Sequence, residues 1–125
     1  GAAAAGNVGS HFPPSDDEWK DADSMDLLAR AMRVLDARDY RVGNIDVTVI
    51  CETPKIGPHI DAMRMSLAKV LHVPSTAISI KGKTNEKMGW IGAGEGLAVH
   101  AVALIKPQSG AAGGEAGSGG GAWPL

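Results

Sequence analysis

Apolar and polar residues alternate through NIDVTVIC: Ile45, Val47, Val49 and Cys51 fall on one face, Asp46, Thr48 and Ile50 on the other. The spacing predicts a strand, and its β-branched Val, Ile and Thr suit a pleated surface. Pro54 cannot continue a strand ladder, so the chain turns there. Ile56, Ile60, Met63, Leu67 and Leu71 then recur at helical spacing. They predict a helix from about Pro58 to Leu71, with proline in its first turn and His72 at its end. An earlier stripe of Leu27, Leu28, Met32 and Leu35, with Ala31 beside it, predicts a helix over Ser24–Ala37. Asp23 or Ser24 can cap it, and Arg30, Arg33, Asp36 and Arg38 form its solvated face.

AISIK, Ala77 to Lys81, predicts a second strand; with the first strand and the helix between them it makes a βαβ unit. LAVHAVALI, Leu97 to Ile105, predicts a third strand, apolar on both faces and so expected to be covered on both. Gly6–Asp23 and Lys81–Gly96 are rich in turn residues and read as loops. GAAAA at the start reads as the last turn of a helix, alanine being the best helix former, and the chain as beginning in mid-fold. The fold class is therefore α/β, a small mixed sheet with helices packed on it around a βαβ core. Residues 1–106 form the domain, and the Gly/Ala-rich 107–125 are expected to be a flexible tail. A sheet this small leaves edges unpaired, which upstream strands or partner subunits are expected to cover.

Charge and cysteine content narrow the chemistry. A net charge of −2 without a basic run argues against a nucleic-acid surface. The predicted strands carry no aromatic residue on which RNA bases could stack. No apolar run approaches the ~20 residues of a membrane span. The single cysteine, Cys51, excludes an intrachain disulfide and favours a reducing compartment. The segment Cys51–Gly57, CETPKIG, lies past the carboxyl end of a strand and before a helix, where α/β proteins place ligands. Lys55 with a nearby proline and glycine suits close backbone contact with a small anion; by local pattern alone, an ordinary βα loop with a solvated lysine is commoner. The acidic loop Gly6–Asp23 could bind a polyol or a metal, though a solvated connection is again commoner. His59 and Asp61, two apart on a helix, point to different faces and do not make half a metal site. His100 reads as a core or interface histidine.

Three stretches, taken together, resemble one family: GNVGSHFPPSD (Gly6–Asp16), GNIDVTVICETPKIGPHIDAMR (Gly43–Arg64) and IKGKTNEKMGWIGAGEGLAVHAVALI (Ile80–Ile105). They are similar, in order and spacing, to the 2-C-methyl-D-erythritol 2,4-cyclodiphosphate synthases of the non-mevalonate isoprenoid pathway. The resemblance implies an α/β protomer in a homotrimer, with active sites between subunits, in a bacterial cytoplasm or a plastid stroma. It implies cyclisation of a diphosphocytidyl methylerythritol phosphate with release of CMP. Cys51, Glu52, Thr53, Pro54, Lys55, Ile56 and Gly57 match the loop that holds the cytosine. Lys83, Thr84, Asn85 and Glu86 continue the nucleotide half, with Thr84 in the catalytic position at the phosphates and Glu86 as ligand to magnesium or manganese. Asn7, Val8, Gly9, Phe12, Pro13, Pro14, Ser15 and Asp16 match the methylerythritol half, and Trp90 replaces an aromatic residue near the site.

The family's zinc ligands would lie upstream of Gly1, and His11, His59, His72 and His100 align elsewhere, so this chain is expected to lack the zinc centre and to be inactive alone. Asn7 and Pro14 stand where aspartate is usual, Lys83 where threonine is usual, and Ala93 where arginine is usual; Glu95 is retained. The alternative is a non-catalytic relative that binds a nucleotide or an isoprenoid diphosphate, or an inactive fragment.

Overall fold

The computed structural model describes residues 1–108. Strand β1 (Tyr40–Ile50) is central in a three-stranded sheet of order β2-β1-β3. It pairs in parallel with β2 (Ile78–Lys83), from Ile45↔Ile78 to Ile50↔Lys83. It pairs antiparallel with β3 (Ala98–Pro107), from Tyr40↔Pro107 to Ile50↔Ala98. The sheet is therefore mixed. The predicted βαβ unit is β1, α3 (Ile60–Leu71, entered through a 3-10 turn at Gly57–His59) and β2.

Helix α2 occupies Ser24–Ala37, the span its apolar stripe predicts. Asp23 caps it, its carboxylate accepting from the Met25 N–H at 2.7 Å. Helix α3 ends at His72, which takes the left-handed conformation at φ 55° and donates its backbone N–H to Ala68 O. Both helices pack on one face of the sheet. Met32, Val42, Val47, Val49, Cys51, Leu71, Ile78 and Ile80 form the buried core there, flanked by Leu28, Leu35, Ile45, Ile60, Met63 and Leu67. The alternation along β1 has this cause: its inward set meets the helices, and Asp46 on the outer face is paired with Lys81 of β2 at 2.6 Å.

Four local expectations change. GAAAA is not helical: the Ala4 N–H closes a turn onto Gly1 O at 2.8 Å, and Ala4 sits at φ 51°. Four alanines cannot nucleate a helix by propensity alone, and Gly6 at φ 89° redirects the chain. Both predicted loops hold regular structure: within Gly6–Asp23, Val8–His11 forms a short helix, α1, and Asp17–Trp19 a 3-10 turn, and within Lys81–Gly96 the second strand runs on to Lys83 and Gly89–Gly92 forms a short helix, α4. Strand β1 begins at Tyr40, four residues before Asn44, because β3 pairs with its whole length. The ladder shifts register between Val42 and Asn44, and a Cβ on Gly43 would come within 3.2 Å of Leu104 O.

Strand β3 carries the fourth difference. Val102 and Leu104 remain 72% and 56% exposed, so the double cover expected for this strand is not met within one chain. The reason is architectural: only α2 and α3 are long, both pack on the inner face, and Val102 and Leu104 lie on the outer face with Asp46. The hydrogen bonding runs past Lys106. Pro107 pairs with Tyr40, and Gln108 bonds the Tyr40 carbonyl at 2.6 Å and the Asp36 carboxylate at 2.8 Å. The rest of the expected tail lies outside the described residues.

Two outcomes follow from this packing. Ile78, 2% exposed, fills the core between sheet and helices. Ile78→Ala is expected to cost about 2–5 kcal/mol, read as a fall in the urea midpoint at unchanged slope. The hydrogen bond from Lys81, joined by its charge, holds the Asp46 carboxyl below the ordinary aspartate value. The depressed value means that this pair's stabilisation is complete above the ordinary aspartate range and fades as pH falls through the lowered pKa. Lys81→Met is expected to return the Asp46 carboxyl-carbon titration toward the ordinary range; an unmoved midpoint would show that Lys81 is not the cause.

Candidate functional site

The parallel pairing of β1 and β2 brings two carboxyl ends side by side. Past Ile50 the Cys51 N–H donates to Lys83 O at 3.0 Å, so the loop leaves β1 against the end of β2. Cys51 is buried, and its Sγ donates to Pro54 O at 3.4 Å across the turn, whose Thr53–Pro54 peptide is cis. The His59 N–H donates to Ile56 O at 2.8 Å and leads into α3. Ile56 lies directly over the β2 backbone: a Cβ on Gly82 would meet its Cγ1 at 2.7 Å. Between loop and strand is a cleft of about 370 Å³. Its walls are Cys51, Glu52, Pro54, Lys55, Ile56, Gly57 and Ile60 on one side and Gly82, Lys83 and Thr84 on the other.

Beyond Thr84 the chain makes a tight turn. Glu86 and Lys87 both have left-handed backbones, at φ 52° and 60°. Thr84 Oγ1 accepts from the Glu86 N–H at 3.4 Å, and Asn85 Nδ2 donates to Met88 O at 2.6 Å. The Glu52 carboxylate reaches across and accepts from the Asn85 N–H at 2.8 Å and the Lys87 N–H at 3.3 Å. Helix α4 (Gly89–Gly92) presses on the turn from the other side, where a Cβ on Gly92 would lie 2.1 Å from the Lys87 carbonyl carbon.

The sequence-predicted residues thus divide. Residues 51, 52, 54–57, 83 and 84 converge on the cleft, with Thr53 exposed on its loop and Asn85 and Glu86 on the adjoining turn. Residues 7–16 do not join them within one chain. Asn7 caps α1, its Oδ1 accepting from the Ser10 N–H at 2.8 Å. Asn7, Val8 and Phe12 line a separate apolar groove of about 260 Å³, with Leu28, Met32 and Leu35 of α2 and Ala103 and Ile105 of β3. Gly9, Pro14 and Ser15 are exposed and Pro13 half-buried, while Asp16 caps the 3-10 turn through the Glu18 N–H at 3.0 Å. Trp90 is 55% exposed and lies over Gly96. His59 and His72 are exposed at the two ends of α3 and His100 is exposed on β3, and Asp61 pairs with Arg64.

Among the described residues no group of three or more His, Cys, Asp or Glu converges to hold a metal. The described side chains therefore do not bring together a zinc ligand set. The exposed Glu86, whose backbone N–H meets the Thr84 hydroxyl, carries a carboxylate that fits the sparser protein ligation of magnesium, which takes one or two carboxylates and completes its shell with water and phosphate.

Two features escaped the sequence. One is the anchoring of the acidic loop: Phe12 meets Trp19 edge-on at 5.0 Å, and Arg30 of α2 lies 4.7 Å over the Trp19 ring while pairing with Glu18. The other is the tie from Glu52 to the turn, a long-range contact that no local pattern announces.

A βαβ unit whose first βα loop closes a cleft against the end of the second strand defines an α/β protein with a cleft at the carboxyl ends of its parallel strands, the place where this architecture puts ligands. The chain belongs to the YgbB family, whose model matches residues 1–106. It is 50% identical over 105 residues to the 2-C-methyl-D-erythritol 2,4-cyclodiphosphate synthase of Xanthomonas oryzae pv. oryzae, over 84% of this chain and 64% of that protein. It is 52% identical over 110 residues to the synthase of Marinobacter nauticus, over 87% of this chain and 69% of that one. The chain thus spans less than two thirds of the Xanthomonas protein's length. Among solved structures it matches a Plasmodium falciparum IspF–CDP complex with a TM-score of 0.75 and 30% identity, over 86% of this chain and 64% of that one.

The contact between Gly82 and Ile56 generates a test. Gly82→Ala forces Ile56 off the strand and is expected to destabilise by about 1–3 kcal/mol, with methyl and amide shifts concentrated at Ile56–Ile60. An unmoved Ile56 methyl resonance would show that β2 does not support the loop.

Proposed function

We propose that this chain supplies the cytidine-nucleotide half of a 2-C-methyl-D-erythritol 2,4-cyclodiphosphate synthase. One observation carries the reading: Lys55 and Thr84, matched separately to the family's nucleotide site, line one cleft at the ends of paired strands. In the proposed reaction the 2-phosphate of a 4-diphosphocytidyl-2-C-methyl-D-erythritol attacks the β-phosphorus. A P–O bond forms as the bond from that phosphorus to the CMP oxygen breaks, which closes the cyclic diphosphate and releases CMP. The demand is to hold two anionic groups together and absorb their charge.

The residues divide that work. The backbone of Cys51–Gly57 holds the cytosine. The Thr84 hydroxyl oxygen accepts from the Glu86 N–H, which leaves its proton free to donate to a phosphate oxygen. Lys55 and Lys83 bring positive charge to the two sides of the cleft. Glu86 would hold magnesium or manganese, which when bound neutralises charge on the phosphates. Because the side chains here do not fit zinc, no step is assigned to it.

Asn7, Val8, Gly9, Phe12, Pro13, Pro14, Ser15 and Asp16, with Trp90, are proposed to complete the methylerythritol half in a neighbouring subunit. Two findings support that reading: residues 7–16 stand apart from the cleft within one chain, and Val102 and Leu104, exposed on the outer face of β3, leave an apolar surface for partner copies of a homotrimer. The curated relatives from Xanthomonas and Marinobacter support the bacterial-cytoplasm side of the localisation reading. No helix among the described residues is long and apolar enough to cross a membrane. The relatives are named as synthases, which does not favour a non-catalytic binding relative.

Titration with CMP, followed by amide NMR, tests the site. Saturable shifts are expected at residues 51–57 and 83–86, weakened about tenfold in Lys55→Ala if its ammonium contacts the phosphate. A dispersed spectrum that ignores CMP would reject the reading. Elemental analysis of the purified chain is expected to find no stoichiometric, tightly bound zinc, and finding it would overturn the absence of a zinc centre.

A further inference from the structure

The sequence resemblance places Glu52 among the residues that contact the nucleoside, but the geometry gives its carboxylate another task. The β1–β2 ladder ends at Ile50↔Lys83, so it no longer holds the chain beyond Thr84. There Glu86 and Lys87 occupy successive left-handed conformations, which non-glycine residues keep only where their surroundings over-determine them. Glu52 Oε1 accepts from the backbone N–H groups on either side of Glu86, those of Asn85 and Lys87. Two amides converging on one oxygen make a small anion-binding concavity, and a carboxylate from the facing loop fills it. Gly92 closes the far side of the same turn.

We infer that Glu52 is a positioning residue. Its carboxylate ties the cytosine-side loop to the phosphate-side turn and sets the distance between the two halves of the cleft. The inference rests on reading the cleft as a cytidine-nucleotide site. Removing the tie should leave the loop, held by Cys51 and Ile56, able to take the base. It should free Thr84 and Glu86 from the place where phosphate is met.

The test uses Glu52→Ala, Glu52→Gln and Glu52→Asp in the whole chain. Glutamine keeps an acceptor oxygen at the same reach, whereas aspartate keeps the charge but is one methylene short. Amide hydrogen exchange at Asn85 and Lys87 is expected to rise about tenfold or more in the alanine and aspartate variants and to stay near parental in the glutamine variant. With magnesium present, CDP affinity is expected to fall about tenfold in alanine and aspartate and cytidine affinity by less than about twofold, with glutamine restoring both.

Unchanged exchange in Glu52→Ala would overturn the tie. Equal losses for CDP and cytidine would make Glu52 a direct nucleoside contact and overturn the positioning role. If Glu52→Ala does not fold, the contrast between the glutamine and aspartate variants decides. If the parental chain binds neither ligand, the nucleotide reading fails, and the exchange measurement alone decides whether Glu52 holds the turn.

Discussion

Everything at the candidate site depends on β1 pairing in parallel with β2. Ile50 opposite Lys83 means that both strands finish at the same level, so the loop after one and the turn after the other emerge as neighbours. An antiparallel partner would have sent its own carboxyl end to the far edge of the sheet. The parallel pairing in turn needs α3 as its crossover, and α3 begins where the loop ends. The core residues Val47, Val49, Ile78 and Ile80 stabilise this pairing by burying the helix-facing side of both strands.

That frame turns unremarkable side chains into a cleft. Lys55 and Thr84 are almost thirty residues apart in the chain and would carry little information singly. They line one cleft because Gly82 admits Ile56 against the strand and Cys51 anchors the loop at its base. The outer face of the sheet follows a different logic. Its charged pair, Asp46 with Lys81, lies towards the β2 side, and its apolar residues Val102 and Leu104 lie on β3. Polar and apolar portions are thus segregated across one sheet face.

The parts legible in the sequence are those in which a local period reports a tertiary fact. The alternation of Ile45 to Cys51 and the stripe of Leu27 to Leu35 are imprints of one buried face, so the strand and helix they predict are the ones formed. The misreadings have the converse origin. The alanines at the start have high helix propensity but no periodic face to bury, and a turn prevails. The doubly apolar pattern of β3 predicts cover on both faces, and within this chain the helices cover only one. The early start of β1 and the inclusion of Gln108 depend on β3 lying alongside, a contact between residues far apart in the sequence. Of the candidate site, the collinear motifs pointed to the residues. The division of those residues between cleft and groove, and the task of Glu52, belong to three-dimensional placement.

The Glu52 contact also limits how a phosphate can be recognised. In many nucleotide sites a turn presents bare backbone amides to the incoming anion, and the polypeptide itself does the reading. Here the amides of Asn85 and Lys87 already face an internal anion. The turn is a receptor that comes with its ligand built in. On the reading proposed above, an incoming phosphate is met instead by side chains, the Thr84 hydroxyl and the lysine ammonium groups, alongside a divalent ion at Glu86. These change with a single substitution, and their attraction weakens as salt rises.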